Sequence, residues 1–218
     1  YDNARRLLST SSVFGSTTKS YSYDYNTKDQ RTKLTLPDGS YWTYTYDDKG
    51  QVTGGIKYDS QDVAIPGQAF GYAFDDIGNR TTMQNSSLNY TYTSNDLNQY
   101  TQMTIPGLLQ VTGKASEAAR VTVSRGDGSV ASTTRSGKYF STNLSVDNTS
   151  ANVSENLTIN AVKFDPAQDK DIVAATSRTG TALKTPRPFT YDDDGNMTSD
   201  AVWAYTWNGE SRLIEAVK

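Results

Sequence analysis

A short aromatic motif returns along this 218-residue chain, and it restricts the possible fold more than any other feature. Its copies are Tyr21-Ser-Tyr-Asp24, Tyr44-Thr-Tyr-Asp-Asp-Lys-Gly50 and Tyr72-Ala-Phe-Asp-Asp-Ile-Gly-Asn-Arg80. Tyr90-Thr-Tyr-Thr-Ser-Asn-Asp96, Phe189-Thr-Tyr-Asp-Asp-Asp-Gly-Asn196 and Tyr205-Thr-Trp-Asn-Gly-Glu210 follow, and Tyr1–Leu7 reads as the tail of one more unit. Counted to the second aromatic, the copies fall at 23, 46, 74, 92, 191 and 207, in steps of 23, 28, 18, 99 and 16. Four steps are of hairpin size; one is far too long.

The chemistry of one unit is that of a strand and a turn. Residues two apart on a strand share a face, so Trp42, Tyr44 and Tyr46 form one aromatic stripe while Tyr41, Thr43 and Thr45 face the other way. The same spacing gives Tyr21/Tyr23/Tyr25, Tyr72/Phe74, Tyr90/Tyr92, Phe189/Tyr191 and Trp203/Tyr205/Trp207. Thr and Tyr suit a pleated, half-buried surface. The Asp-Asp-x-Gly that follows is turn chemistry, the aspartate bonding its own backbone and Gly supplying positive φ. Leu36-Pro-Asp-Gly-Ser40 is a further turn. No segment predicts a helix; Ser116–Arg120 reads as a loop.

The repeated aromatic-x-Tyr-Asp-x-x-Gly-(Asn/Arg), with a Pro-Asp-Gly turn between copies, resembles the RHS or YD-repeat proteins, over roughly residues 1–105 and 187–218. Asn95-Asp-Leu-Asn-Gln-Tyr-Thr101 is similar to a variant seen near the end of such arrays. The resemblance implies an all-β fold in which antiparallel hairpins wind into a spiral shell around a cargo, often a toxin domain. It assigns structural roles in the repeat to Tyr44, Tyr46, Asp47, Gly50, Tyr72, Phe74, Asp75, Gly78, Tyr90, Tyr92, Tyr191, Asp192, Gly195, Tyr205 and Trp207. Its partners would be flanking repeats of the same polypeptide or neighbouring copies of the chain. Family members often carry a self-cleaving Asp-Pro-x-Gly motif; Asp165-Pro-Ala-Gln168 lacks the glycine, so no protease function carries over.

The long step, between Pro106 and Pro188, predicts a second domain. Alternating stretches at 109–112, 120–124, 138–146, 155–162 and 171–176 fit a small β-sandwich. Val121/Val123, Leu144/Val146 and Leu157/Ile159 would face inwards. The segment resembles a bacterial Ig-like module of the kind appended to secreted enzymes and adhesins. At that size its core would be thin, so the module is expected to lean on the shell. The organisation is then repeat sheet at 1–105, Ig-like insert at 106–187 and repeat sheet again at 188–218.

Several function classes lose their chemistry. The chain has no His and no Cys, which removes His-based triads, thiolate nucleophiles and His/Cys metal sites. Its net charge is −3 and its cations are scattered, so nucleic acid is not an expected partner. No apolar run approaches the ~20 residues that span a bilayer, so membrane insertion is not expected. Asp47-Asp48, Asp75-Asp76 and Asp192-Asp193-Asp194 fail the spacing of a calcium loop and repeat with the turns. They are read as turn residues, with no catalytic, metal or cofactor role. Arg125-Gly-Asp127, followed by Gly128, reads as a hairpin turn.

Eight Asn-x-Ser/Thr sequons occur. If the chain is glycosylated, Asn143, Asn148, Asn152 and Asn156 of the insert are the expected positions. The chain opens and closes inside repeat units, as a piece of something longer or one unit of a polymer would. The expected role is a non-enzymatic segment of a secreted or cell-surface bacterial protein. The alternatives are a glycan- or surface-binding insert, with Tyr139 and Phe140 stacking on sugars, and a fibre subunit joined by strand pairing.

Overall fold

The computed structural model describes residues 1–218 and contains strands, turns and no helix. Nine strands follow one another as an antiparallel meander: β1 (Ser9–Phe14), β2 (Thr17–Tyr25), β3 (Arg31–Thr35), β4 (Tyr41–Tyr46) and β5 (Val52–Tyr58), then β6 (Ala64–Phe74), β7 (Arg80–Asn85), β8 (Leu88–Ser94) and β9 (Tyr100–Thr104). The insert contributes β10 (Leu108–Lys114), β11 (Arg120–Arg125), β12 (Val130–Ser132), β13 (Thr134–Ser136), β14 (Tyr139–Ser145), β15 (Val153–Asp165) and β16 (Lys170–Ala182). The chain then returns as β17 (Arg187–Pro188), which pairs with β9 as the tenth strand of the first sheet. The sheet therefore resumes at Arg187, one residue before the boundary expected from the sequence.

The last strands are β18 (Thr190–Tyr191), β19 (Met197–Ser199), β20 (Ala204–Trp207) and β21 (Leu213–Val217). They form a four-stranded meander of their own. The Phe189 N–H donates to the Thr101 carbonyl at 3.0 Å, so the returning chain stays along β9 between β17 and β18. The meander runs on past the insert.

The insert is two sheets, β10-β14-β13 and β12-β11-β15-β16. Leu109, Val121, Val123, Phe140, Leu144, Leu157, Ile159 and Ala182 form one buried cluster between them. Val123 has no exposed surface, as its place in an inward pair requires. Eleven of the fifteen buried residues lie in the insert, and only Ser40, Gly55, Asp59 and Ile105 are buried elsewhere. The core of the insert is thus less thin than expected, while the insert still leans on the repeat sheet, Gln110 reaching Ser87 and Lys138 reaching Asp59. A single-layer sheet leaves its aromatic stripes half-buried, whereas two facing sheets close a core.

Candidate functional site

The site with the most specific geometry is the row of turns along one edge of the meander, together with the neck of the insert on the other. Seven five-residue turns share one pattern: 2–6, 26–30, 47–51, 75–79, 95–99, 192–196 and 208–212. In each, the first residue is Asp or Asn and its N–H donates to the carbonyl of the fifth. The fourth residue donates back to the carbonyl of the first and has positive φ. The first side chain closes the loop: Asp47 Oδ1 accepts from Gln51 N at 2.8 Å, Asp75 from Asn79 N at 2.8 Å and Asp192 from Asn196 N at 2.8 Å. The Asn196 side chain donates to Asp192 as well and holds that carboxyl below its ordinary range. Aspartate serves here as a backbone acceptor.

This pattern corrects the repeat register. The turn after β2 starts at Asn26, so Tyr25 rather than Tyr23 is equivalent to Tyr46, Phe74, Tyr191 and Trp207. In the fourth copy that position is Ser94, and Tyr92 lies two residues further back on the strand. Asn in place of Asp, and Asp29 or Asn98 in place of Gly, hid the true frame. A turn of the same kind lies at 59–63, on the opposite edge, with Asp62 at the position that Gly takes in the motif.

Neighbouring turns are in contact. Arg6 bridges the first two, its Nη1 donating to Asn26 O at 3.1 Å and Asp29 Oδ1 at 3.0 Å. A β-carbon on Gly50 would stand 3.3 Å from Gln30 Nε2, and one on Gly78 equally close to Gln51 Nε2. Asn79 Nδ2 donates to Asn98 Oδ1 at 3.3 Å. Across the insert the relation is unchanged: Gln99 Nε2 lies 3.3 Å from the same point on Gly195. The second aspartate of a pair looks to the adjacent turn instead of its own. Lys28 lies 3.8 Å from Asp48 and Lys49 lies 3.7 Å from Asp76, exposed pairs that add little stability.

Substituting Gly195 by alanine should cost about 1–2 kcal/mol, since φ is +84° there and the new methyl meets Gln99. Urea denaturation checks this.

The aromatic residues on the strands are used for packing. Trp42 stacks on Tyr44 at 6.5 Å and on Phe70 at 5.9 Å. Tyr46 donates its hydroxyl to Arg31 O at 2.6 Å, and Trp207 Nε1 donates to Met197 O at 2.7 Å. Arg80 lies over the rings of Tyr72 and Tyr92, at 5.9 and 4.6 Å, and Tyr205 donates to Asp200 at 3.3 Å. Tyr90 and Tyr92 line a cleft of about 590 Å³ between the sheet and the insert. No group of three or more Asp and Glu side chains converges as a metal cage.

The insert leaves and rejoins the sheet through Ile105 and Thr185. Ile105 N donates to Thr185 Oγ1 at 2.9 Å, and Thr185 N donates to Asn148 O at 3.0 Å. Asn148 Nδ2 donates to Ile105 O at 3.3 Å and Leu183 O at 2.7 Å, so one side chain joins both crossings. Asn148 is 2% exposed. Its expectation as a glycosylation position is therefore corrected: the amide nitrogen that a glycan would take is enclosed and bonded. Asn143, Asn152 and Asn156 are exposed, although the oxygens of Asn152 and Asn156 accept from Lys184 N and Thr179 Oγ1. Tyr139 and Phe140, expected as sugar-stacking residues in the binding alternative, are both buried: Phe140 in the core of the sandwich, and Tyr139 on the opposite face of β14, under Lys114 and Lys138 and beside Asp59. Arg125 of the Arg-Gly-Asp turn is paired with Glu155.

A second fastening sits where β14 begins. The buried Asp59 carboxylate pairs with Lys138 at 2.8 Å, joining a turn of the sheet to the insert. Lys138 draws the Asp59 pKa down to about 2. The folded value lies below the unfolded one near 3.9, so this stabilisation is complete above pH ~4 and lost as pH falls through about 2. Asp59→Asn should be less stable than the parent at pH 7, and the difference should close between about pH 4 and 2. Melting curves across that range check the sign.

Residues 25–62 match the RHS repeat family, so the chain contains an RHS repeat in its first sheet. No curated protein matches the chain. Among solved structures it is similar to the crystal structure of TcdB2-TccC3-Cdc42, at 14% identity and a TM-score of 0.45 over 99% of this chain. It is also similar to the Tc holotoxin pore of Photorhabdus luminescens, at 12% identity and a TM-score of 0.38 over 93% of this chain. The chain spans 11% of the length of the first and 10% of the second.

Proposed function

We propose that this chain is a non-enzymatic wall segment of a longer secreted or cell-surface RHS-repeat protein. The wall encloses a cargo such as a toxin domain, and the insert stands on its edge. The observation that carries this reading is the unbroken contact of turns across the insert, Gln99 against Gly195. A repeat whose register survives an interruption of this size is built to propagate a sheet, and propagation is what a wall requires. The RHS repeat at 25–62 supports the same reading. The insert supports an Ig-like description: β10-β14-β13 and β12-β11-β15-β16 follow the immunoglobulin order of second, fifth and fourth strands against an additional edge strand, third, sixth and seventh, without the first. Flanking repeats would pair the outer edges of β1 and β21, which otherwise carry exposed Val13, Phe14, Leu213, Ile214 and Val217. Cryo-electron microscopy of the full polypeptide tests the proposal. A closed β-shell with these residues in its wall and density inside is the expected result; an extended fibre or an open, empty sheet would overturn it.

A further inference from the structure

The strand order of the insert leaves one place unfilled. β10 stands at one end of its sheet and β16 at the end of the other, so both present an outer edge with no strand beside it. They come together where Gly180 faces Leu109, a β-carbon there standing 3.3 Å from the leucine side chain. From that point they part, and a groove of about 570 Å³ opens between them. Val111, Phe140, Leu157 and Ile159 line it, three of them members of the buried cluster. The core of the sandwich is thus reached from this side, where the immunoglobulin order would set its first strand.

The charge at the groove has one sign. Lys114 and Arg178 are its only charged lining residues; both are exposed, and neither is paired with a carboxylate. In a chain of net charge −3 this is a local exception. The sheet of the repeat region packs elsewhere: Gln110 reaches Ser87, and Gly67 approaches Thr112 and Gln110, residues that alternate with Val111 and so lie on the outer face of β10. The edge itself stays open.

We infer that this groove accepts one extended peptide strand of a partner protein, apolar at alternate positions and carrying a carboxylate at each end. Such a strand adds to the free edge of β10 and sends every second side chain onto Val111 and Phe140. Lys114 alternates with Val111 and stands on the outer face opposite Tyr139, whereas Arg178 is opposite Leu157 and faces inwards, so one terminal carboxylate points outwards beside Lys114 and the other inwards beside Arg178. Main-chain hydrogen bonds supply affinity and the alternate side chains supply register. The inference rests on strand order and groove chemistry, so its failure leaves the wall reading standing.

The test uses the full chain and a labelled synthetic peptide, acetyl-Glu-Val-Thr-Val-Thr-Glu-amide, whose first carboxylate shares the face of the threonines and whose last shares that of the valines, in a fluorescence anisotropy titration. The expected result is saturable binding, about tenfold tighter than for the same peptide ended by lysines. A peptide of the same composition with its valines contiguous should bind more weakly. Lys114→Glu combined with Arg178→Glu changes two exposed residues and should reverse the preference for acidic ends. Hydrogen exchange should slow along β10. Absence of binding, equal binding of alternating and contiguous peptides, a preference unmoved by the charge reversal, or protection confined to β1 or β21 would each overturn the inference.

Discussion

Alanine in place of Asn148 is expected to cost about 2–4 kcal/mol of stability, although the change removes only one amide. That amide is the shared donor for Ile105 O and Leu183 O, on the two segments that cross between sheet and insert. Removing it leaves two carbonyls without their donor, Ile105 O in a buried place and Leu183 O in a half-buried one, each costing about 1–3 kcal/mol where water does not replace the donor. Asn148→Asp keeps the shape but presents a carboxylate to both carbonyls, so it should be no milder. Asn143→Ala, at an exposed position of β14, should stay within about 0.5 kcal/mol. Urea titrations rank the three. Hydrogen exchange then locates the damage, with faster exchange at Ile105 and Thr185 expected in the Asn148 variants alone. If Asn143→Ala and Asn148→Ala cost the same, the neck is not held by this side chain.

What the sequence disclosed follows from the range of the interactions involved. The strands carrying Tyr44 and Tyr46, Tyr72 and Phe74, or Val121 and Val123 were legible because a period of two is a local property. The turns at Asp47, Asp75 and Asp192 were legible for the same reason: their hydrogen bonds span four residues. The register at Tyr25 was missed because Asn26 and Asp29 do the work of Asp and Gly with a φ of 60° at the fourth position. A template of Asx followed four places later by Gln or Asn would have found Asn26-Gln30 and Asn95-Gln99 together. β12 and β13 have three residues each and no periodicity to read. Asn148 was misjudged because a sequon is local while its partners lie 43 and 35 residues away. Asp59 and Lys138 gave no signal in isolation either, being 79 residues apart and joined only by the fold.

Phe140→Ala should be the most damaging single truncation in the chain, at about 3–5 kcal/mol. The ring belongs to the only large buried cluster and is 6% exposed. It also lies directly on the backbone of β10: a β-carbon on Gly113 would stand 2.5 Å from Cζ and 2.7 Å from Cε1. The missing side chain at 113 and the large one at 140 are therefore two halves of one fit. Gly113→Ala alone should cost about 1–3 kcal/mol by overpacking. Joined to Phe140→Leu, which vacates space over the strand, it should cost less than the sum of the separate changes, with a coupling of about 0.5–3 kcal/mol. Equal, additive costs would mean that ring and glycine do not meet. Hydrogen exchange adds a regional readout, because every member of the cluster lies between Leu109 and Ala182. In Phe140→Ala, amides of β10, β11, β14 and β15 should exchange faster while those of β3 to β8 keep their protection. Loss of protection in both regions together would mean that the meander depends on the insert's core, and that the insert is a keystone of the sheet instead of a domain standing on its edge.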